Sequence, residues 1–206
     1  MAITNYTELK AACANYLHRA GLTDRITEFI AIGESQLNRK LRVKEMEANA
    51  AITPSTSVRY VALPAGYMEL ISFTDSFGDP LTAVSAEELE KLAYGIGATQ
   101  PRYYRISSRI DFEAVADQTY SFTMRYFKRL DIDTDLTNSV LTNHPDCYLY
   151  AALMQSAPYI KDDARIMTWK SLMDDAISAA NSQSARSNQL LRTEFTGRSF
   201  NINRGY

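Results

Sequence analysis

The apolar residues of this 206-residue chain change their spacing twice. That double change constrains the fold more than any single motif. Up to about Lys44 they recur every three or four residues, then they alternate, and past Thr142 the helical spacing returns. A strand-like period between two helix-like ones predicts helices interrupted by a β insertion. The expected fold class is α+β. It comprises a discontinuous antiparallel helical bundle (residues 1–44 with 137–191), an inserted antiparallel β domain (residues 45–136) and an extended C-terminal arm (residues 192–206).

The first helix pair is marked by its caps and stripes. Asn5 can cap, with Glu8 closing a capping box. Tyr6, Leu9, Cys13, Tyr16 and Leu17 form a stripe that Gly21 is expected to end. Thr23 or Asp24 starts the second helix, whose inner face carries Ile26, Phe29, Ile30, Gly33, Leu37 and Leu41. Arg25, Glu28, Glu34, Arg39 and Arg42 fall on its polar face. The last pair is equally plain. Pro145 suits a first helical turn, and Leu149, Ala152, Leu153 and Ser156 share a face. Pro158 stands near the end, Lys161 follows, and Asp162 or Asp163 can cap the next helix. Its stripe is Ile166, Trp169, Met173, Ala176 and Ala180. From Asn181 to Gln189 almost nothing is apolar, so this run is expected to be a solvated helix extension or loose.

Between the pairs, strands are expected at Met46–Ile52, Val58–Leu63, Tyr67–Thr74, Arg102–Ile106, Arg109–Phe112 and Thr119–Phe127, with turns between them. A short helix interrupts, capped by Ser85 with Glu88 behind it and Leu89 and Leu92 facing inward. The loop Asp131–Asn143 leads back to the helices. In the strands, Tyr103, Tyr104, Tyr120, Phe122, Tyr126 and Phe127 interleave with Arg102, Arg105, Arg125, Lys128 and Arg129. Such a mixture can stack single-stranded nucleic acid over a positive groove. Alternation splits it between two faces, however, and aromatics are ordinary strand formers. Core and subunit interface are the simpler reading.

The chain offers little for catalysis. Asp131, Asp133 and Asp135 begin like a calcium loop, but Leu136 and Thr142 stand where Gly and Glu are required. Gly95-Ile96-Gly97 lacks the third glycine and the preceding strand of a dinucleotide site. His18 and His144 have no nucleophile setting around them. Cys13 and Cys147 read as buried thiols; there is no CxxC for a metal, and a reducing cytosol disfavours a disulfide. No enzyme activity, cofactor or metal is expected. A net charge of −2 argues against a dedicated nucleic-acid binder. No secretory signal and no membrane span are visible, so the chain reads as soluble and made in a cytosol.

The tail, Arg192 to Tyr206, has no helical period. Phe195, Phe200, Ile202 and Tyr206 are spaced apolar anchors, with Arg192, Arg198 and Arg204 between them. It is either a frayed end or an arm that orders on a partner, adding a strand and filling pockets.

Several blocks together resemble the head-to-tail adaptor proteins of short-tailed bacteriophages. Near the start these are Tyr6-Thr7-Glu8-Leu9, Tyr16-Leu17-His18-Arg19, Leu22-Thr23-Asp24, Leu37-Asn38-Arg39-Lys40-Leu41-Arg42 and Met46-Glu47-Ala48. In the middle they are Val61-Ala62-Leu63-Pro64-Ala65 and Pro101-Arg102-Tyr103-Tyr104. Late in the chain comes TNHPDCYLYAAL, Thr142 to Leu153, then QSAPYIKDD and the stretch around Trp169-Lys170-Ser171-Leu172. The resemblance implies a structural virion protein at the neck, assembled in the bacterial cytoplasm. It implies a homo-oligomeric ring, a dodecamer, between the portal protein and a tail nozzle or tube protein. Double-stranded DNA would pass through its channel without sequence-specific binding, and no membrane is involved. It also favours the arm as a portal-binding segment, with Arg192, Phe195, Arg198, Phe200, Ile202, Arg204 and Tyr206 as its contacts. The alternative is a small nucleic-acid-binding protein using the aromatic-basic sheet.

Overall fold

The computed structural model describes residues 3–18, 20–160 and 163–196. Helices α1 (Tyr6–Leu17) and α2 (Thr23–Lys40) come first. Strands β1 (Glu47–Ile52), β2 (Tyr60–Ala62), β3 (Tyr67–Thr74) and β4 (Thr82–Ala83) follow, then helix α3 (Ala86–Ala93). Strands β5 (Tyr103–Ile106), β6 (Arg109–Phe112) and β7 (Phe122–Lys128) come next. The chain returns to helix in α4 (Ile132–Asp135), α5 (Ser139–Asn143), α6 (Pro145–Tyr159) and α7 (Asp163–Thr196). The class is α+β. The chain divides into two compact units, residues 1–46 with 130–206, and residues 47–129.

In the helical unit, α2 and α6 pack along their apolar faces and α7 packs on α6. Ile26, Ile30, Leu37 and Leu41 are buried, as are Leu149, Ala152 and Leu153. Each such Leu or Ile contributes about 1.5–3 kcal/mol by leaving water. Gly33 sets how closely α2 and α6 approach. A Cβ there would lie 2.9 Å from the carbonyl carbon of Ala151. Pro145 opens α6 at its first turn, and Pro158 lies in its last.

Trp169 sits at the edge of this packing, half-buried. Its ring stacks at 6.2 Å on Tyr150 of α6 and meets Tyr16 of α1 edge-on at 6.2 Å. Trp169→Ala is expected to cost about 2 kcal/mol, less than the 3–5 typical of a fully buried aromatic. Urea titration followed by circular dichroism measures this, and a midpoint equal to the parent's would refute the packing role.

The β unit holds two sheets, ordered β1-β7-β3 and β2-β6-β5-β4. Alternation sends Ile52, Phe73, Phe122, Met124 and Tyr126 of the first sheet inward, to meet Tyr104, Ile110 and Phe112 of the second. Phe73 is the hub, 4.9 Å from the Tyr104 ring, 5.9 Å from Phe122 and 6.3 Å from Phe112. The insertion was expected to be wholly antiparallel, but β4 pairs parallel with β5. The reason is local: α3 lies between them, and a helical crossover brings the second strand back in the same direction.

Other expectations are corrected. Helix α1 stops at Leu17, with His18 in the left-handed region at φ 49°, rather than at Gly21. His tolerates that region better than branched residues do. Helix α2, by contrast, begins at Thr23 as expected. Leu22 holds the cap position, with no side-chain cap bond. The acidic stretch after Asp131 is a capped turn of helix, and it sits with the helical unit rather than the β insertion. α7 continues to Thr196, past Leu191, after which an extended arm was expected. Leu190, Leu191, Arg192 and Glu194 are good helix formers, and the first glycine beyond is Gly197.

Candidate functional site

Within the helical unit, the segments leading out to the β insertion and back from it are each tied down by one helix. On the outgoing side, Asn181 of α7 accepts the Arg42 N–H at 2.8 Å and donates to the Lys40 carbonyl at 3.1 Å. One turn later Ser184, buried, accepts the Lys44 N–H at 3.0 Å. The polar run after Ala180 is therefore not simply solvated. Its inner face satisfies backbone groups that have left a helix and not yet entered a strand.

On the returning side, Asn38 of α2 accepts the Leu130 N–H at 2.8 Å and donates to the Leu130 carbonyl at 3.1 Å. Glu34, one turn earlier, accepts the Ile132 N–H at 2.9 Å and the Tyr148 hydroxyl at 2.8 Å. Asn138 in turn donates to the Tyr148 oxygen at 2.9 Å. Glu34 was expected on a solvated face, yet it is only 8% exposed. Burial, with the nearby Glu34 charge, raises the Tyr148 phenol well above its ordinary value.

None of this is a catalytic arrangement. Among the described residues, no group of His, Cys, Asp and Glu is placed to hold a metal. His18 is a helix cap, and His144 sits half-buried between α5 and α6. Asp131 accepts the Thr134 N–H at 3.2 Å, as an N-cap does. Burial pushes the Cys13 thiol up to about 12, and burial with Asp146 pushes Cys147 up to about 12. Such thiols are poor nucleophiles. No helix is long and apolar enough to cross a membrane, among the described residues.

The surfaces available are of two kinds. The first is the end of α7. Arg192 and Phe195 stand on its last turns, with side chains outside the described set. Arg198, Phe200, Ile202, Arg204 and Tyr206 lie outside the described residues. The second is the β unit. On β7 the aromatics and bases part: Phe122, Met124 and Tyr126 enter the core, while Thr123 and Arg125 face solvent and Arg125 pairs with Glu47. Tyr104 is also core. The interleaving seen in the sequence therefore forms no stacking platform on that strand.

The outer face of the second sheet differs. Register sets Tyr60, Asp111 and Arg105 opposite one another across β2, β6 and β5. With α3 they frame a cleft of about 580 Å³. Sequence reading missed it, because its lining comes from four separated segments. Glycine and loop signals around Phe77 and Tyr94 did mark turns, and both aromatics are almost fully exposed.

A model of the SU10 adaptor protein family matches residues 4–194, which includes all of the β unit and most of the helical unit. No curated protein matches the chain.

Proposed function

Since this chain belongs to the SU10 adaptor protein family, a family of phage head-to-tail adaptors, we propose that it builds the ring that joins portal to tail. The family is one of structural phage proteins, not an enzyme class. Its members work with portal and tail proteins at the virion neck. The observation that carries the proposal is the extent of the match, which includes the whole β insertion and most of the helical unit. In this reading the ring is a dodecamer assembled in the host cytoplasm. It continues the DNA channel, and the duplex passes without sequence-specific contact. The tail partner is a nozzle or tube protein.

The portal-binding arm is part of the same proposal. α7 carries Thr196 about 24 Å beyond Ala180, at about 1.5 Å per residue over sixteen residues. That length supports a segment reaching a neighbour. Arg192 and Phe195 would lead into the contact, and Arg198, Phe200, Ile202, Arg204 and Tyr206 would complete it. Backbone pairing and aromatic anchors must outweigh about 1–2 kcal/mol of ordering entropy per residue.

Deletion after Leu191 tests this. The truncated chain is expected to melt within a few degrees of the parent, and its portal affinity to fall about tenfold or more. Co-sedimentation with portal reads the affinity. A second truncation after Thr196 separates the helix end from the residues beyond it. Full affinity in both would sink the arm. The nucleic-acid alternative predicts a salt-dependent shift of single-stranded DNA by the free chain; the core placement of Phe122 and Tyr126 speaks against it.

A further inference from the structure

Phe77 is 87% exposed, yet the turn that bears it is held by several hydrogen bonds. The Asp75 carboxylate accepts the N–H groups of Phe77 at 2.9 Å and Asp79 at 3.0 Å. The Asp75 N–H donates to the Asp79 carbonyl at 2.9 Å, and Gly78 takes φ 92°, which favours glycine. Gln100 donates to the other Asp75 oxygen at 3.5 Å. The aromatic ring is therefore held in water by a preorganised support, which lowers the ordering cost of burying it elsewhere. Asp79 beside it is exposed, and its carboxylate has no partner among the described residues.

The cleft on the same unit has the opposite chemistry. Its exposed apolar lining is Val58 and Tyr60, with Leu89 and Phe112 buried beneath. Its rim carries Arg59, Arg105 and Arg109 against Glu90 and Asp111. Arg109 is spent on Asp111 at 2.7 Å and lies 4.1 Å from the Tyr60 ring centre. Arg59 reaches Glu90 only at 3.6 Å, both being exposed. Arg105 has no acidic partner within salt-bridge reach among the described residues. The site thus offers an exposed valine and tyrosine beside a guanidinium with no acidic partner among the described residues, which suits an aromatic flanked by a carboxylate.

The two features are separate patches of the β unit, since no residue of the Phe77 turn lines the cleft. The Phe77 turn leads into β4, whereas the cleft takes Val58, Arg59 and Tyr60 from the β2 side. We infer that Phe77 and Asp79 of one copy dock into the Arg105 cleft of a second copy of this chain. Knob and socket are different patches, so the contact is head-to-tail, the kind that closes rings when the rotation permits. The inference rests on the ring reading and names one of its subunit contacts.

Sedimentation of the full chain over a concentration series tests it. The parent is expected to self-associate below about 1 mM. Phe77→Ala should weaken association about 30-fold or more. Asp79→Arg and Arg105→Asp should each weaken it about tenfold, and the double variant should recover most of the loss. Circular dichroism confirms that each variant is folded. A monomeric parent, an unaffected Phe77→Ala or an unrestored double variant overturns the contact. So does single-stranded DNA binding that is lost in Arg105→Asp and indifferent to Phe77→Ala, which would give the cleft to nucleic acid. Portal-bound rings that persist in Phe77→Ala would overturn this contact and leave the family reading standing. Failure to bind portal or tail at all would count against that reading instead.

Discussion

Glu34→Ala is expected to lower the unfolding free energy by about 3–5 kcal/mol, and Glu34→Gln by only about 1. The buried carboxyl accepts the Ile132 N–H at 2.9 Å and the Tyr148 O–H at 2.8 Å. Alanine leaves both donors buried without an acceptor. Each orphan costs about 1–3 kcal/mol, and a cavity forms where the side chain was. Glutamine keeps one carbonyl acceptor and nearly the same volume. Tyr148→Phe should couple with Glu34→Ala by about 1 kcal/mol or more in a double-mutant cycle, since they share the bond. Urea unfolding followed by circular dichroism reads all four states. An alanine variant within about 0.5 kcal/mol of the parent would show that the returning connection is held by something else.

Raising the pH from 7 to 10.5 should remove about 4 kcal/mol of stability through two thiols. Cys13 and Cys147 are 2% and 0% exposed. Burial lifts each from 9.0 to about 12, aided at Cys147 by Asp146. The folded state therefore keeps protons that the unfolded chain releases above about pH 9. The associated stability is complete below that pH and is lost as pH rises toward about 12. At pH 10.5 each thiol accounts for about 2 kcal/mol, from 1.5 pH steps at about 1.4 kcal/mol each. Tyr148, raised by burial and then by Glu34, adds loss in the same direction above about pH 10. The measurement is the unfolding free energy at both pH values in the parent and in Cys13→Ala/Cys147→Ala. Equal pH slopes in the two proteins would rule out the thiols as the cause.

Much of the fold was legible because local physics wrote it. Strand limits at Tyr67–Thr74 and Arg109–Phe112 follow from alternation and flanking turns, and they match the strands found. Asn5 and Ser85 accept the third helical N–H groups of α1 and α3, as their chemistry requires. Pro145 begins α6 where a missing N–H costs nothing. The stripes of α2 and α6 are buried residue for residue where expected: Ile26, Phe29, Ile30, Leu37 and Leu41 on one, and Leu149, Ala152 and Leu153 on the other. β4 escaped notice because two residues carry no period.

The portal-contact residues were named from spacing and resemblance. Most of them fall beyond Thr196, outside the described residues. The cleft could not be read from spacing at all. Its walls come from the segment before β2, from α3, from β5 and from β6, brought together only by the sheet order β2-β6-β5-β4.

By itself the sequence determined the period of each segment, its caps and stops, and the side that faces a core. These depend on neighbours three, four or two residues away. Tertiary structure decided what the polar residues do. Glu34 and Asn38 lie on what looks like a solvated face until residues 130–132, more than 90 positions later, lay their backbone against it. Asn181 and Ser184 look like solvent residues until the chain at 42–44 needs acceptors for its N–H groups. A buried backbone group must find a partner wherever the fold supplies one. Which side chain answers that need depends on contacts across the whole chain, and no local period records them.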